Sequence, residues 1–300
     1  MKWASIDIGT NSCRLLVLEG VTIADLQVVE QRISTTRIGE GLASSGLLGV
    51  DGIERTIEAL GSFVAVANQY SADRMFIMAT AAVRRASNQK EFLAMVKQKL
   101  GLEVEVLSGE REAYLSYLGV SLGLERTTEE PLVLDLGGGS TEFIWRADKD
   151  SVELVSIPIG AVVATELSMG DEEITKELAP ILATLKDKSI DCFIGVGGTA
   201  TTLAAIDMQM EQYDWRKVHG HKLPYERILE IFHCLKQLDI EQRKKVKGLQ
   251  PNRADIILAG VTVIIVIMRV LGIKELFISD KDLLHGKVFD EILRMEEICH

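Results

Sequence analysis

The 300-residue chain is poor in cysteine, and its four cysteines, Cys13, Cys192, Cys234 and Cys299, are scattered with no Cys-x-x-Cys pair. That excludes a disulfide framework and, with no charged-apolar-small leader at the start, points to a reducing cytoplasm. Long hydrophobic runs are also lacking. The longest uncharged one, "IILAGVTVIIVIM" at 256–268, is bounded by Asp255 and Arg269, well short of the roughly 20 residues that cross a bilayer; it reads as a buried core helix. Basic charge is in deficit, with 33 Lys and Arg against 44 Asp and Glu and a net charge of -11. This argues against general attraction to nucleic acid or an anionic membrane, so any polyanionic ligand must meet locally placed positive charge. The five histidines form no HxxxH or HxxE pattern. His219 and His221 in "VHGHK", one glycine apart in a loop, are a poor tetrahedral metal site by themselves.

What the chain does have is 47% hydrophobic residues, enough for two cores, and strands alternating with helical stretches. The strand-like runs are "WASIDI", "LLVLEG", "RMFIMAT", "VEVLS", "LVLDL", "EFIWRA", "CFIGVG" and "ELFISD". Helical patterns cover residues 51–69, 89–100, 109–119, 172–187, 224–238 and 254–271. This alternation predicts an α/β architecture. No low-complexity linker separates the halves.

One strand raises a chemical question, because "SIDIGTNSCRLLV" places Asp7 in an apolar run before a glycine turn. The same pattern returns in "LVLDLGGGSTEFIW", where Asp135, Gly137 and Ser140 each stand 128 residues after Asp7, Gly9 and Ser12. A constant separation at several positions implies two related halves, each opening with a strand, a glycine-rich hairpin and a second strand, with the site in the cleft between them. A carboxylate at a strand end can hold hydrated Mg²⁺ while the turn's N–H groups and hydroxyls face phosphate oxygens. An isolated turn of this kind could equally be structural; the pair at fixed spacing favours a polyphosphate clamp.

These stretches, with "ATAAVRRASN", "LSGEREAYLSYLGV" and "GVGGTATTLAA", resemble in order the motifs of the exopolyphosphatase and guanosine pentaphosphate phosphohydrolase family. The resemblance runs from residue 4 to about 286 and takes in "TRIGEGL", "SIPIGA" and "QPNRADIILAG". It implies two ribonuclease-H-like domains of the actin, sugar kinase and heat-shock ATPase superfamily, here 1–120 and 121–300, with the final helix free to pack back on the first. It further implies Mg²⁺-dependent release of terminal phosphate from polyphosphate or guanosine pentaphosphate, and is compatible with a homodimer.

Carried over by position, the resemblance assigns metal and phosphate organisation to Asp7 and Asp135, and a first phosphate loop to Gly9, Thr10, Asn11 and Ser12. Gly137, Gly138, Gly139, Ser140 and Thr141 form the second loop, and Gly197, Gly198 and Thr199 lie near the distal ligand. Glu112 takes the place of the catalytic glutamate, with Glu110 as the weaker candidate. Independently of the family, hydrolysis needs a carboxylate to orient or deprotonate water, and helical spacing puts Glu112 on one face with Ser108 and Leu115. Glu142, just after the second loop, could join the metal or place water. By the same resemblance, Arg14, Arg37 and Arg84 fall at the family's phosphate-contacting or cleft positions, where a guanidinium fork would meet two oxygens. The run "RKKVKG" at 243–248 reads as a solvated helix end.

The chain departs from the family at "SDKDLLHG", 279–286, where Asp282 replaces a glycine and Leu284 an arginine of the pattern "SDxGLREG". A small-molecule kinase shares the phosphate loops but would need an acceptor-binding insertion, and none is evident. A non-catalytic sensor of guanosine tetra- or pentaphosphate is the other alternative. The residue pattern does not rank polyphosphate against guanosine pentaphosphate.

Overall fold

The computed structural model describes residues 1–124, 130–147 and 151–299. Two compact units emerge, one of residues 1–123 with 281–300 and one of residues 124–280.

In the first unit, strands β1 (Lys2–Ile8), β2 (Cys13–Glu19) and β3 (Gln27–Ser34) form an antiparallel meander. The short helix α1 (Leu42–Ser45) and the long α2 (Val50–Gln69) lead to β4 (Arg74–Ala79). Next come α3 (Ala81–Arg85), α4 (Gln89–Leu100), β5 (Glu105–Val106) and α5 (Gly109–Ser121). The sheet order is β3-β2-β1-β4-β5, with β4 parallel to β1 and β5 parallel to β4. Apolar residues of α2 at helical spacing, Ile53, Ile57, Leu60 and Phe63, pack with Ile6, Ile8 and Leu15 from one sheet face.

The second unit repeats this plan. Its strands β6 (Pro131–Leu136), β7 (Thr141–Arg146) and β8 (Val152–Ile157) form a second meander. Helices α6 (Ala161–Glu166) and α7 (Asp171–Lys186) precede β9 (Cys192–Val196), which runs directly into α8 (Gly197–Asp207). The remaining elements are α9 (Trp215–Val218), β10 (Lys222–Pro224), α10 (Tyr225–Gln237), α11 (Ile240–Arg243), α12 (Ile257–Leu271) and β11 (Glu275–Ile278). The sheet order β8-β7-β6-β9-β11 matches that of the first unit, with β10 added at the edge. Both units are therefore ribonuclease-H-like. The apolar run at 256–268 lies mostly in α12, whose residues Val263 to Met268 are buried in this unit's core. No helix among the described residues is long and apolar enough to cross a membrane.

The chain then returns to the first unit through α13 (Leu283–Cys299). Leu283, Leu284, Val288 and Ile292 pack with Trp3, Leu16, Leu18 and Met78 in a cluster separate from the α2 core. This matters for function because α13 also lies against α5. Gly286 meets the backbone of Leu115, and Gly119 meets that of Asp282, so closely that neither position has room for a side chain. Arg111 of α5 pairs with buried Asp290 of α13.

Candidate functional site

The two hairpins close alike. Gly9 N–H donates to the Ser12 carbonyl at 3.1 Å, and Gly137 N–H to that of Ser140 at 3.0 Å. This closure fixes the cross-strand register, so that Asp7 faces Arg14 and Asp135 faces Glu142. Arg14 and Glu142 are themselves 128 residues apart. The repeat thus holds an ion pair in one unit and a pair of carboxylates in the other.

In the first unit, Arg14 donates to Asp7 Oδ2 through Nη2 at 2.9 Å and Nε at 3.3 Å, while Nη1 binds Asp282 Oδ2. Both carboxylates are buried, and the Arg14 side chain is 28% exposed. Burial works against the charge on Arg14, but Asp282 and Asp7 outweigh it and hold the arginine charged. Burial pushes the Asp7 carboxyl above its ordinary value of 3.8, more than Arg14 pulls it down. Asp7 Oδ1 is buried with no hydrogen-bond partner.

Thr10, Asn11 and Ser12 are buried, and Asn11 Nδ2 donates to Ser12 Oγ at 3.1 Å. The segment after β3 clamps this loop: Arg37 N–H donates to Asn11 O at 2.9 Å and Gly39 N–H to Thr10 O at 3.0 Å. Arg37 adopts φ 49° to do so, a left-handed conformation that costs a non-glycine residue on the order of 1 kcal/mol. Its backbone thus has a fixed job in the loop.

The second hairpin is braced in the same way, by the N–H groups of Ala161 and Val162, which donate to the carbonyls of Gly137 at 3.0 Å and Gly138 at 2.9 Å. In both loops several carbonyls are thus taken up by the protein's own N–H groups. The Thr141 hydroxyl donates to Ile159 O at 2.5 Å and serves the fold. Glu142 is 1% exposed and accepts from Ser156 Oγ at 2.7 Å.

Glu112 sits in the first turn of α5. Ser108 caps that helix by accepting from Arg111 N–H at 3.1 Å. The following turn brings Glu112 into the protein while Glu110 stays exposed. Arg84 Nη1 donates to Glu112 Oε2 at 2.7 Å and to Leu107 O at 2.8 Å. Arg84 therefore holds the glutamate in place. The α5 start and the first hairpin both follow the C-terminal ends of parallel strands, where open α/β sheets present their ligands.

At the corresponding edge of the second unit, Gly197 opens α8 with φ 85° and lies against Asp135 Oδ1. Thr199 is buried and faces Gly260 of α12. Arg253, which stands inside "QPNRADIILAG" but is not among the candidate residues of the motifs, lies directly over Gly198. Its cation and the positive end of α8 gather positive potential at one point.

Among the described residues no group of three or more His, Cys, Asp and Glu could hold a metal ion. Mg²⁺ is bound by as few as one or two carboxylates together with waters and substrate phosphates. The orphaned Asp7 Oδ1 and the facing Asp135 and Glu142 are the donor sets that fit it.

Repeated glycine hairpins on ribonuclease-H-like sheets, with a buried, arginine-held glutamate, define a phosphate-handling enzyme. Residues 16–295 match the Ppx/GppA phosphatase family, and the chain belongs to it. It is 32% identical over 307 residues to exopolyphosphatase 2 of Mycobacterium tuberculosis, covering 94% of this chain and 96% of that protein. To the guanosine-5'-triphosphate,3'-diphosphate pyrophosphatase of Vibrio cholerae it is 29% identical, over 99% of this chain but 61% of that protein. The solved structure of the Aquifex aeolicus Ppx/GppA family member shares 35% identity with a TM-score of 0.81, covering 98% of both chains.

Proposed function

We propose that this protein hydrolyses the terminal phosphoanhydride of inorganic polyphosphate or guanosine pentaphosphate, with Mg²⁺ as cofactor. The observation that carries the reading is Glu112, buried at the start of α5 and gripped by Arg84 on the edge that bears the first phosphate loop. Glu112 orients the attacking water and takes its proton as oxygen bonds to the terminal phosphorus. The bond from phosphorus to the bridging oxygen breaks, and its electron pair leaves with the shortened chain. N–H groups of the hairpins, with Ser12, Ser140 and the arginines Arg14, Arg37, Arg84 and Arg253, meet phosphate oxygens. Bound Mg²⁺, at Asp7 or at Asp135 and Glu142, would neutralise phosphate charge.

The relatives support both substrates, and the match to an exopolyphosphatase over nearly its whole length makes polyphosphate the first to try. The reading places the reaction in the cytoplasm; sedimentation would decide between monomer and homodimer. Phosphate release should be measured with polyphosphate, guanosine pentaphosphate, ATP and GTP. Turnover of one of the first two, lowered about 100-fold or more in Glu112→Gln, is the expected result. Tight binding of guanosine pentaphosphate without release from any of the four would make the protein a sensor.

A further inference from the structure

Arg14 meets two carboxylates with one charge. Asp7 takes its Nε and Nη2 hydrogens and Asp282 takes Nη1. With both carboxylates ionised, the cluster therefore carries one net negative charge around a partly exposed Arg14 side chain. Asp282 is tied in place independently of Arg14: its Oδ1 accepts from Leu284 N–H at 3.1 Å, its main-chain carbonyl accepts from Gly286 N–H at 2.8 Å, and its backbone rests on Gly119. It cannot swing aside without disturbing the start of α13. Any phosphate that reaches Arg14 approaches with a fixed anion behind the cation.

We propose that Asp282 is a specificity-determining residue, an electrostatic counterweight that lowers the affinity of Arg14 for bare polyphosphate and so favours the metal-complexed form. This rests on the reading that Arg14 meets substrate phosphate. With Asp7 alone, the ionised pair would be neutral, and a phosphate meeting Arg14 would face no net charge of its own sign. With Asp282 added, a highly charged phosphate chain is penalised, and the penalty shrinks once a divalent cation has cancelled part of its charge. The same counterweight hastens release of the phosphate product.

The test separates charge from geometry. Asp282→Asn removes the charge and keeps one of the two acceptor oxygens, which can cap α13 or accept from Arg14, with an amide nitrogen in place of the other. Binding of inorganic tripolyphosphate is measured by calorimetry in EDTA and again in saturating Mg²⁺. In EDTA the variant should bind about tenfold more tightly than wild type, the order expected for one unit charge a guanidinium's width away in a partly buried setting, and in Mg²⁺ the gap should narrow. Equal or weaker binding by the variant in EDTA would overturn the proposal. Should Asp282→Asn fail to fold, as read by circular dichroism, Asp282→Ser keeps a capping oxygen and decides the matter in the same assay. Arg14→Gln provides the second arm. If it leaves tripolyphosphate binding unchanged, the reading that Arg14 meets phosphate fails. If it weakens binding while Asp282→Asn tightens nothing, only the counterweight fails.

Discussion

Position within one turn of helix separates the two candidate acids. Glu110 and Glu112 are two residues apart, yet the first is exposed and the second is buried against Arg84. Glu112→Gln should lower kcat by about 100-fold or more with little change in KM, as loss of a general base does. Glu110→Gln should leave both within a factor of about two, since an exposed first-turn acid interacts only weakly with its helix. Steady-state kinetics on polyphosphate checks both. The two aspartates of the repeat differ as well, because Asp7 shares its charge with Arg14 whereas Asp135 faces a second carboxylate. Asp135→Asn should therefore raise the Mg²⁺ concentration for half-maximal activity more than Asp7→Asn does, which a metal titration of each variant reads directly.

At the scale of elements, the contact between α5 and α13 has no slack. Gly286→Ala would drive a methyl group into the Leu115 carbonyl, and the resulting shift should cost about 2–3 kcal/mol of stability in urea denaturation. Since α5 carries Glu112, kcat should fall with it. A second element-scale prediction concerns the end of α8, where Asp207 accepts from Arg227 Nε at 2.6 Å and contacts His221 Nε2 at 2.8 Å. Burial alone would raise the Asp207 carboxyl, but the hydrogen bonds and charges of Arg227 and His221 outweigh it and hold it below its ordinary value of 3.8. A depressed carboxyl stabilises the fold above its unfolded pKa and loses that contribution as pH falls through the folded value. Asp207→Asn should cost about 1–2 kcal/mol at neutral pH. The difference from wild type should fade as pH drops below about 4, in denaturation curves taken across that range.

The whole molecule carries a net charge of -11, and its substrate in the proposed reaction is a polyanion. Screening should relieve their mutual repulsion, so kcat/KM for polyphosphate should rise as salt goes from about 10 to 100 mM at constant free Mg²⁺. A steep fall instead would reveal a basic tracking surface. The same repulsion predicts distributive cleavage, seen on gels as a gradually shortening ladder, whereas full-length chains persisting beside free phosphate would mean processive action.

Much of this architecture was legible before any coordinates. The hairpins, their repeat at 128 residues and the buried helix at 256–268 follow from local patterns, in which neighbours in sequence are neighbours in space. The hairpin register is a finding of the structure, in which the turn that pairs Ile8 with Cys13 sets Asp7 against Arg14 and the equivalent turn sets Asp135 against Glu142. The strands at 27–34, 152–157 and 222–224 were not read. The first two are edge strands with few buried residues, and the third is three residues long, so alternation is weak there. What only the tertiary structure decided are contacts between distant segments. Arg14 meets Asp282 across 268 positions, and α13 leaves its sequence neighbours in the second unit to pack under the first. No periodicity encodes such a partner, because it depends on where the chain returns after two folded units have formed. For that reason the sequence alone could name Glu112, Arg84 and Arg14, while their partners emerged only from the fold.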